Sequence, residues 1–172
     1  MNNDQAISIE LQGRFGEAAF SVQPAKDDVP TFWVPEDSAV EVLRYLKTGA
    51  EQPYQTLYDL TVIDERTRTH RDEMPDSDFS VVYHLLSYGR NEDIRIKVAL
   101  KGDYPSIASV TGLWTSAGWY EREAWDMFGV TFDNHPNLRR ILMPSTWNGH
   151  PLRKEHPARA TEMGVFELPE DK

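Results

Sequence analysis

FSVVYHLLSYGRNEDIRIKVAL, residues 79–100, reads as two strands joined by a hairpin. In the second half Ile94, Ile96, Val98 and Leu100 fall on one side and Arg95, Lys97 and Lys101 near the other. That is the period of two expected of a strand with one buried face. The first half is rich in β-branched and aromatic residues, and GRNED between the halves supplies the Gly, Asn and Asp of a turn. The halves are therefore antiparallel neighbours. QTLYDLTVI, 55–63, has the same strand composition. DERTRTHRDEMPDSD, 64–78, which separates it from the hairpin, is long and charged, and reads as an exposed connection.

Working outward, residues 5–15 place Ile7, Leu11 and Phe15 at helical spacing, with Gly16 as a stop. AAFSVQ and TFWV follow as two strands, and Pro35 leads into EDSAVEVLRYLKTG, a second helix closed by Gly49. Pro105 is expected to start another helix through about Leu113 or Trp114. A further helix begins at Trp119 and stops at Gly129. Its core stripe is Tyr120, Ala124 and Met127 or Phe128, which leaves Glu121, Arg122, Trp125 and Asp126 on other faces, largely away from the core. The expected fold class is α+β: a small mixed, mainly antiparallel sheet flanked by helices over residues 1–132, then an extended irregular tail over 133–172.

Composition narrows the function classes. A chain of 172 residues with 40% hydrophobic content supports one core. A net charge of −10 argues against a general nucleic-acid binder, which needs a cationic face. Cysteine is absent, which removes disulfides, thiolate metal sites, iron–sulfur ligation and cysteine nucleophiles. No apolar run approaches the roughly 18 residues needed to span a bilayer, and MNNDQAISIE has no leader pattern. The expectation is a soluble chain that meets a membrane only through partners.

Past Phe132 the pattern changes. Residues 1–134 hold 12 basic and 23 acidic side chains, whereas 135–160 hold five Lys or Arg against one acid, with four prolines. His135, His150 and His156 each precede a proline, with no i, i+4 pair of ligands, so a metal site has little support against histidines that cap or pack on a stiffened backbone. An acid–base site drawn from Glu121, Glu123 and Asp126 has no accompanying nucleophile or nucleotide motif. The plain alternative for those residues is a solvated helix face with an Arg122–Asp126 i, i+4 pair. That alternative weakens beside the tail. Leu138, Ile141, Leu142, Met143 and Trp147 need a surface to lie on, partly the domain and partly another polypeptide. The cations are too dispersed among prolines for a membrane-binding block.

Read together, E-R-E-A-W-D-M-F (121–128), six residues to His135, then Arg139, Arg140, Ile141 and Leu142, and PSTWNGHPLRKEHP resemble the signature of the 30 kDa-type (C) subunit of respiratory NADH:quinone oxidoreductase, complex I. RTHR (68–71), DFSVVYHL (78–85), the I-x-I-K-V strand and the closing ARATEMGVFEL are similar to the C/D form, in which this polypeptide is fused ahead of the 49 kDa-type (D) subunit. GHPLRKEHP departs conservatively from the GHPLRKDYP common in the family.

The resemblance implies a non-catalytic peripheral-arm subunit in the quinone module, on the cytoplasmic side of a bacterial inner membrane. It implies no flavin, cluster, quinone or metal in this chain, FMN and iron–sulfur clusters belonging to other subunits, and a tail that contacts the 49 kDa-type subunit. Under it, Glu121, Glu123 and Asp126 are expected to pin Arg139 and Arg140, while Trp147, His150, Leu152, Arg153 and Lys154 dock on the neighbour. Arg122, Trp125 and His135 complete the motif. Two other readings stand beside it: the equivalent subunit of a membrane-bound hydrogenase or formate hydrogenlyase, and a free-standing enzyme using the acidic helix and histidines.

Overall fold

The computed structural model describes residues 3–68 and 74–156. Helix α1 (Asn3–Phe15) is followed by a single 3-10 turn and by strands β1 (Ser21–Gln23) and β2 (Thr31–Trp33). Next come α2 (Glu36–Thr48), β3 (Thr56–Asp64), β4 (Phe79–Ser87), β5 (Glu92–Leu100), β6 (Ser106–Ala108), α3 (Ala117–Phe128) and β7 (Thr131–Asp133). Five strands form one sheet in the order β1-β2-β5-β4-β3, antiparallel except where β2 runs parallel to β5. The fold is α+β with a mixed, mainly antiparallel sheet, as the hairpin at its centre indicates.

The alternation in β5 is carried through to the core. Ile94, Ile96, Val98 and Leu100 are buried while Arg95, Lys97 and Ala99 stay partly exposed, and Ile96 lies opposite Tyr83 of β4. Ile7 and Leu11 of α1 join that core, as do Ala39, Val42, Leu43 and Leu46 of α2.

The segment after Pro105 is a strand and not a helix. Its Ser106–Ala108 pairs in parallel with β7, Ile107 opposite Phe132, and both side chains enter the core. The short turn that follows, 111–113, carries Trp114 to the outer edge of the sheet.

That edge determines where α3 sits. The indole N–H of Trp114 donates to the Gln55 carbonyl at 3.0 Å, the Ser116 hydroxyl to Leu57 at 3.2 Å, and the Tyr120 hydroxyl to Tyr58 at 2.7 Å. A bulge between Leu57 and Asp59 lies at the same place. Side-chain donors thus occupy carbonyls that an unpaired edge would leave to water or to another strand.

The connection expected to be exposed over 64–78 is buried where it begins: Asp64 and Glu65 are 2% and 6% exposed, and Glu65 accepts the Ser80 hydroxyl at 3.2 Å. RTHR extends beyond residue 68, and ARATEMGVFEL and Arg159 fall past 156, outside the described residues.

Candidate functional site

Residues 134–156 contain no helix or strand, yet they lie bonded along α3 and the end of β3 as a strap. The last carbonyls of a helix have no partners within it. Here the strap supplies them. Gly129 closes α3 in the left-handed region at φ 77°, its N–H donating to Trp125. His150 Nδ1 then donates to the Asp126 carbonyl at 3.0 Å, the Leu152 N–H to Met127 at 3.0 Å, and Arg153 Nε to Phe128 at 2.6 Å. A Cβ on Gly129 would stand 2.6 Å from both His150 Cδ2 and Arg153 Nη2, so the close approach of the strap requires glycine there.

Asp126 fastens the strap a second time. Its Oδ2 accepts the N–H groups of Ile141, Leu142 and Met143, each at 2.9 Å, and its Oδ1 accepts Arg140 Nη1 at 2.5 Å. Three consecutive amides converging on one oxygen form a backbone nest for an anion. Burial pushes this carboxyl up, but the three amides and Arg140 outweigh it and hold it below the usual carboxylate range. Arg140 also donates to the Gly149 carbonyl at 3.0 Å and lies over the Trp125 ring.

Arg122 does not pair with Asp126. Its guanidinium donates to the carbonyls of Arg139 and Arg140 at 3.1 and 3.0 Å, with Trp119 beneath it.

A third fastening lies at the far end. Asp64 of β3, its side chain buried, accepts the Lys154 N–H at 2.9 Å and Arg66 Nη2 at 2.5 Å, and Arg66 in turn pairs with Glu155. Burial raises the Asp64 carboxyl, and Arg66 with the amides more than offsets this, leaving it lowered. Arg153, 6% exposed, donates to the Asp103 carbonyl at 2.7 Å and stacks on Phe79 and Tyr104.

Glu121 belongs to the interior. It is fully buried, its Oε1 accepting the Val110 N–H at 2.7 Å and its Oε2 the Ser109 hydroxyl at 2.6 Å. Burial pushes its carboxyl up to about 7. His135 packs nearby, Nε2 donating to the Gly118 carbonyl at 3.1 Å while Nδ1 accepts the Asn137 N–H at 2.9 Å. The hydroxyl of fully buried Tyr83 has no hydrogen-bond partner among the described residues.

The expectation that α3's charges face away from the core is therefore corrected for Glu121 and Asp126. Of the three acids expected to pin Arg139 and Arg140, Asp126 alone does so, and it holds Arg140. Glu123 and Arg139 are exposed, and neither side chain has a hydrogen bond or ion pair among the described residues. Arg140, His150 and Arg153 are engaged within the chain. Trp147 is half-buried beside the His156 ring, its Nε1 enclosed and without a hydrogen-bond partner among the described residues. Leu142 and Leu152 are 59% and 52% exposed, and the Lys154 side chain faces solvent. Local spacing carries no signal for Asp64, Arg66 or Asp103. Among the described residues no three His, Asp or Glu side chains are grouped as metal ligands.

The family described as respiratory-chain NADH dehydrogenase, 30 Kd subunit, matches residues 32–162, which takes in the sheet from β2 onward, α3 and the whole described strap, and leaves out α1 and β1. The chain belongs to that family. It is 54% identical over 97% of its length to the NADH-quinone oxidoreductase C/D subunit of Methylococcus capsulatus, and 52% identical over 96% to that of Pseudomonas paraeruginosa. It spans 28% of each of those relatives. Among solved structures, the trypsin-resistant fragment (1–134) of Nqo5 superposes with a TM-score of 0.64 at 24% identity, covering 80% of this chain and all of that one. The archaeal membrane-bound sulfane sulfur reductase superposes at 0.67 with 20% identity, covering 98% of this chain and 96% of that one. At those identities the two structures share the fold of this chain.

Proposed function

We propose that this 30 kDa-type chain is a non-catalytic brace in the peripheral arm of a proton-translocating NADH:quinone oxidoreductase, seated against a 49 kDa-type partner to which it can be fused. The observation that carries the reading is the run of relatives at 52–54% identity, each a C/D subunit of NADH-quinone oxidoreductase, matched across nearly all of this chain. The geometry is consistent with bracing. Arg122, Asp126, Arg140, His150 and Arg153 of the motif are spent inside the chain, on backbone carbonyls and strap amides, which suits a rigid platform better than a reacting centre. The flavin, iron–sulfur clusters and quinone are assigned to other subunits, and the chain is assigned to the cytoplasmic face of the inner membrane, held there through its partners.

Disruption of the gene in its host tests this. The expected result is loss of NADH:quinone reductase activity in membranes while NADH oxidation by an artificial acceptor at a detached electron-input module persists. A tagged chain that co-purifies with a nickel-bearing large subunit would instead select a membrane-bound hydrogenase or formate hydrogenlyase. Turnover by the isolated chain would select a free-standing enzyme.

A further inference from the structure

Between α3 and the first part of the strap lies a cleft of about 480 Å³. Its walls include Arg122, Arg139 and Arg140 and no carboxylate, over an apolar lining of Trp125, Leu138 and Met143. On a chain of net charge −10 this is a local reversal of sign. Among the described residues one of the three cations is balanced: Arg140 by Asp126. Arg122 spends its donors on neutral carbonyls and has no ion pair among the described residues, where Arg139 is exposed with neither a hydrogen bond nor an ion pair. Leu142, 59% exposed, and Trp119, 64% exposed with Arg122 over its ring, stand on the neighbouring surface.

We propose that this cleft receives an acidic, partly apolar segment of a partner polypeptide, with a carboxylate against Arg139. Arginine offers a carboxylate a two-pronged donor set, and arginine with tryptophan is the pairing that anchors protein interfaces. A free phosphate or lipid headgroup fits less well. The backbone amides suited to such an anion, those of residues 141–143, already serve Asp126, and the apolar lining has nothing to offer a phosphate. The inference rests on the bracing role and adds the chemistry of what is braced.

The test uses the whole protein that carries this chain, in the assembly isolated from its host. A photo-crosslinking phenylalanine derivative at Ser145, which lines the cleft, leaves all three arginines in place. The expected product joins Ser145 to a segment of one partner polypeptide containing Asp or Glu beside the crosslink. Arg139→Glu should weaken that association about tenfold or more, and a reciprocal Glu→Arg or Asp→Arg change in the segment should restore it. The thermal midpoint of the chain should stay unchanged in Arg139→Glu. Crosslinks confined to the chain itself, to a second copy or to lipid would overturn the proposal, as would wild-type association of Arg139→Glu or a loss of several degrees in its midpoint. A crosslinked acidic segment from a hydrogenase polypeptide would keep the cleft and remove the NADH:quinone assignment. An intact NADH:quinone oxidoreductase with no crosslink at the cleft would do the reverse.

Discussion

Asp126 Oδ2 and the backbone amide of Leu142 lie 2.9 Å apart across 16 residues of chain, and the amides on either side of Leu142 converge on the same oxygen. A single carboxylate near the C-terminus of α3 therefore organises the bend by which the strap turns back along the helix. The negative end of the helix dipole opposes an anion there, and Arg140 with three N–H groups offsets that cost.

Removing this carboxylate should loosen the strap first. Asp126→Ala leaves Arg140 without its partner and three amides without an acceptor, at a cost of about 3 kcal/mol in unfolding free energy. Chemical denaturation checks the magnitude. Limited trypsin digestion checks the location: cleavage at Arg139 and Arg140 should accelerate before the sheet is attacked. Equal protection of wild type and variant would contradict the role.

Gly129→Ala tests the same junction from the other side. The left-handed φ of 77° costs an alanine about 1 kcal/mol, and the methyl group must also displace His150 and Arg153 from the helix end. A total loss of about 2–3 kcal/mol is expected by thermal unfolding. A change within a few tenths of wild type would mean that the strap does not approach Gly129.

Glu121 gives the pH dependence. Its folded value is raised to about 7 from an ordinary 4.5, so the fold binds more protons than the unfolded chain between those values. Its contribution is fully present below about pH 4.5 and is lost as the pH rises through 7. Stability should therefore fall by on the order of 2–3 kcal/mol between pH 5 and 8 through this group. Glu121→Gln keeps an acceptor for the Val110 N–H and should flatten that part of the profile. Asp126 and Asp64 act oppositely, their lowered values giving stability above the ordinary carboxylate range that is lost on acidification below it. A Glu121→Gln profile parallel to that of wild type from pH 5 to 8 would refute the assignment.

Much of the fold is legible in the sequence because it is written in local spacing. The alternation of β5, Gly89 and Asn91 in the hairpin turn and the stop at Gly129 each depend on neighbours in sequence, and each stands in the structure as the spacing predicts, while Glu92 and Asp93 of GRNED belong to β5 and not to the turn. Pro105 misleads because Ile107, Val110 and Trp114 also fit a helical stripe, while the deciding interaction, Ser106 opposite Thr131, joins positions on either side of α3. Glu121 and Asp126 are misplaced by periodicity for the same reason. Helical spacing sends charged residues outward, and what brings these two inward are amides at 110 and 141–143, in other segments of chain. The tail's need for a surface is legible from its apolar residues. That its arginines find acceptors on the chain's own helix end is not, because backbone carbonyls leave no mark in composition.

Tyr83 offers a check with the opposite sign. Its hydroxyl is fully buried without a partner among the described residues, so Tyr83→Phe should leave stability unchanged or raise it by up to about 1 kcal/mol. A loss greater than that, measured by denaturant unfolding, would show that the hydroxyl is bonded.

Amide hydrogen exchange at residues 141–143 is the most direct measurement of the strap's attachment to α3. In the wild-type chain these three amides, which belong to no helix or strand, should exchange as slowly as those of α3, and Asp126→Asn should release them together. Exchange at the rate of an unstructured peptide in the wild type would contradict the account.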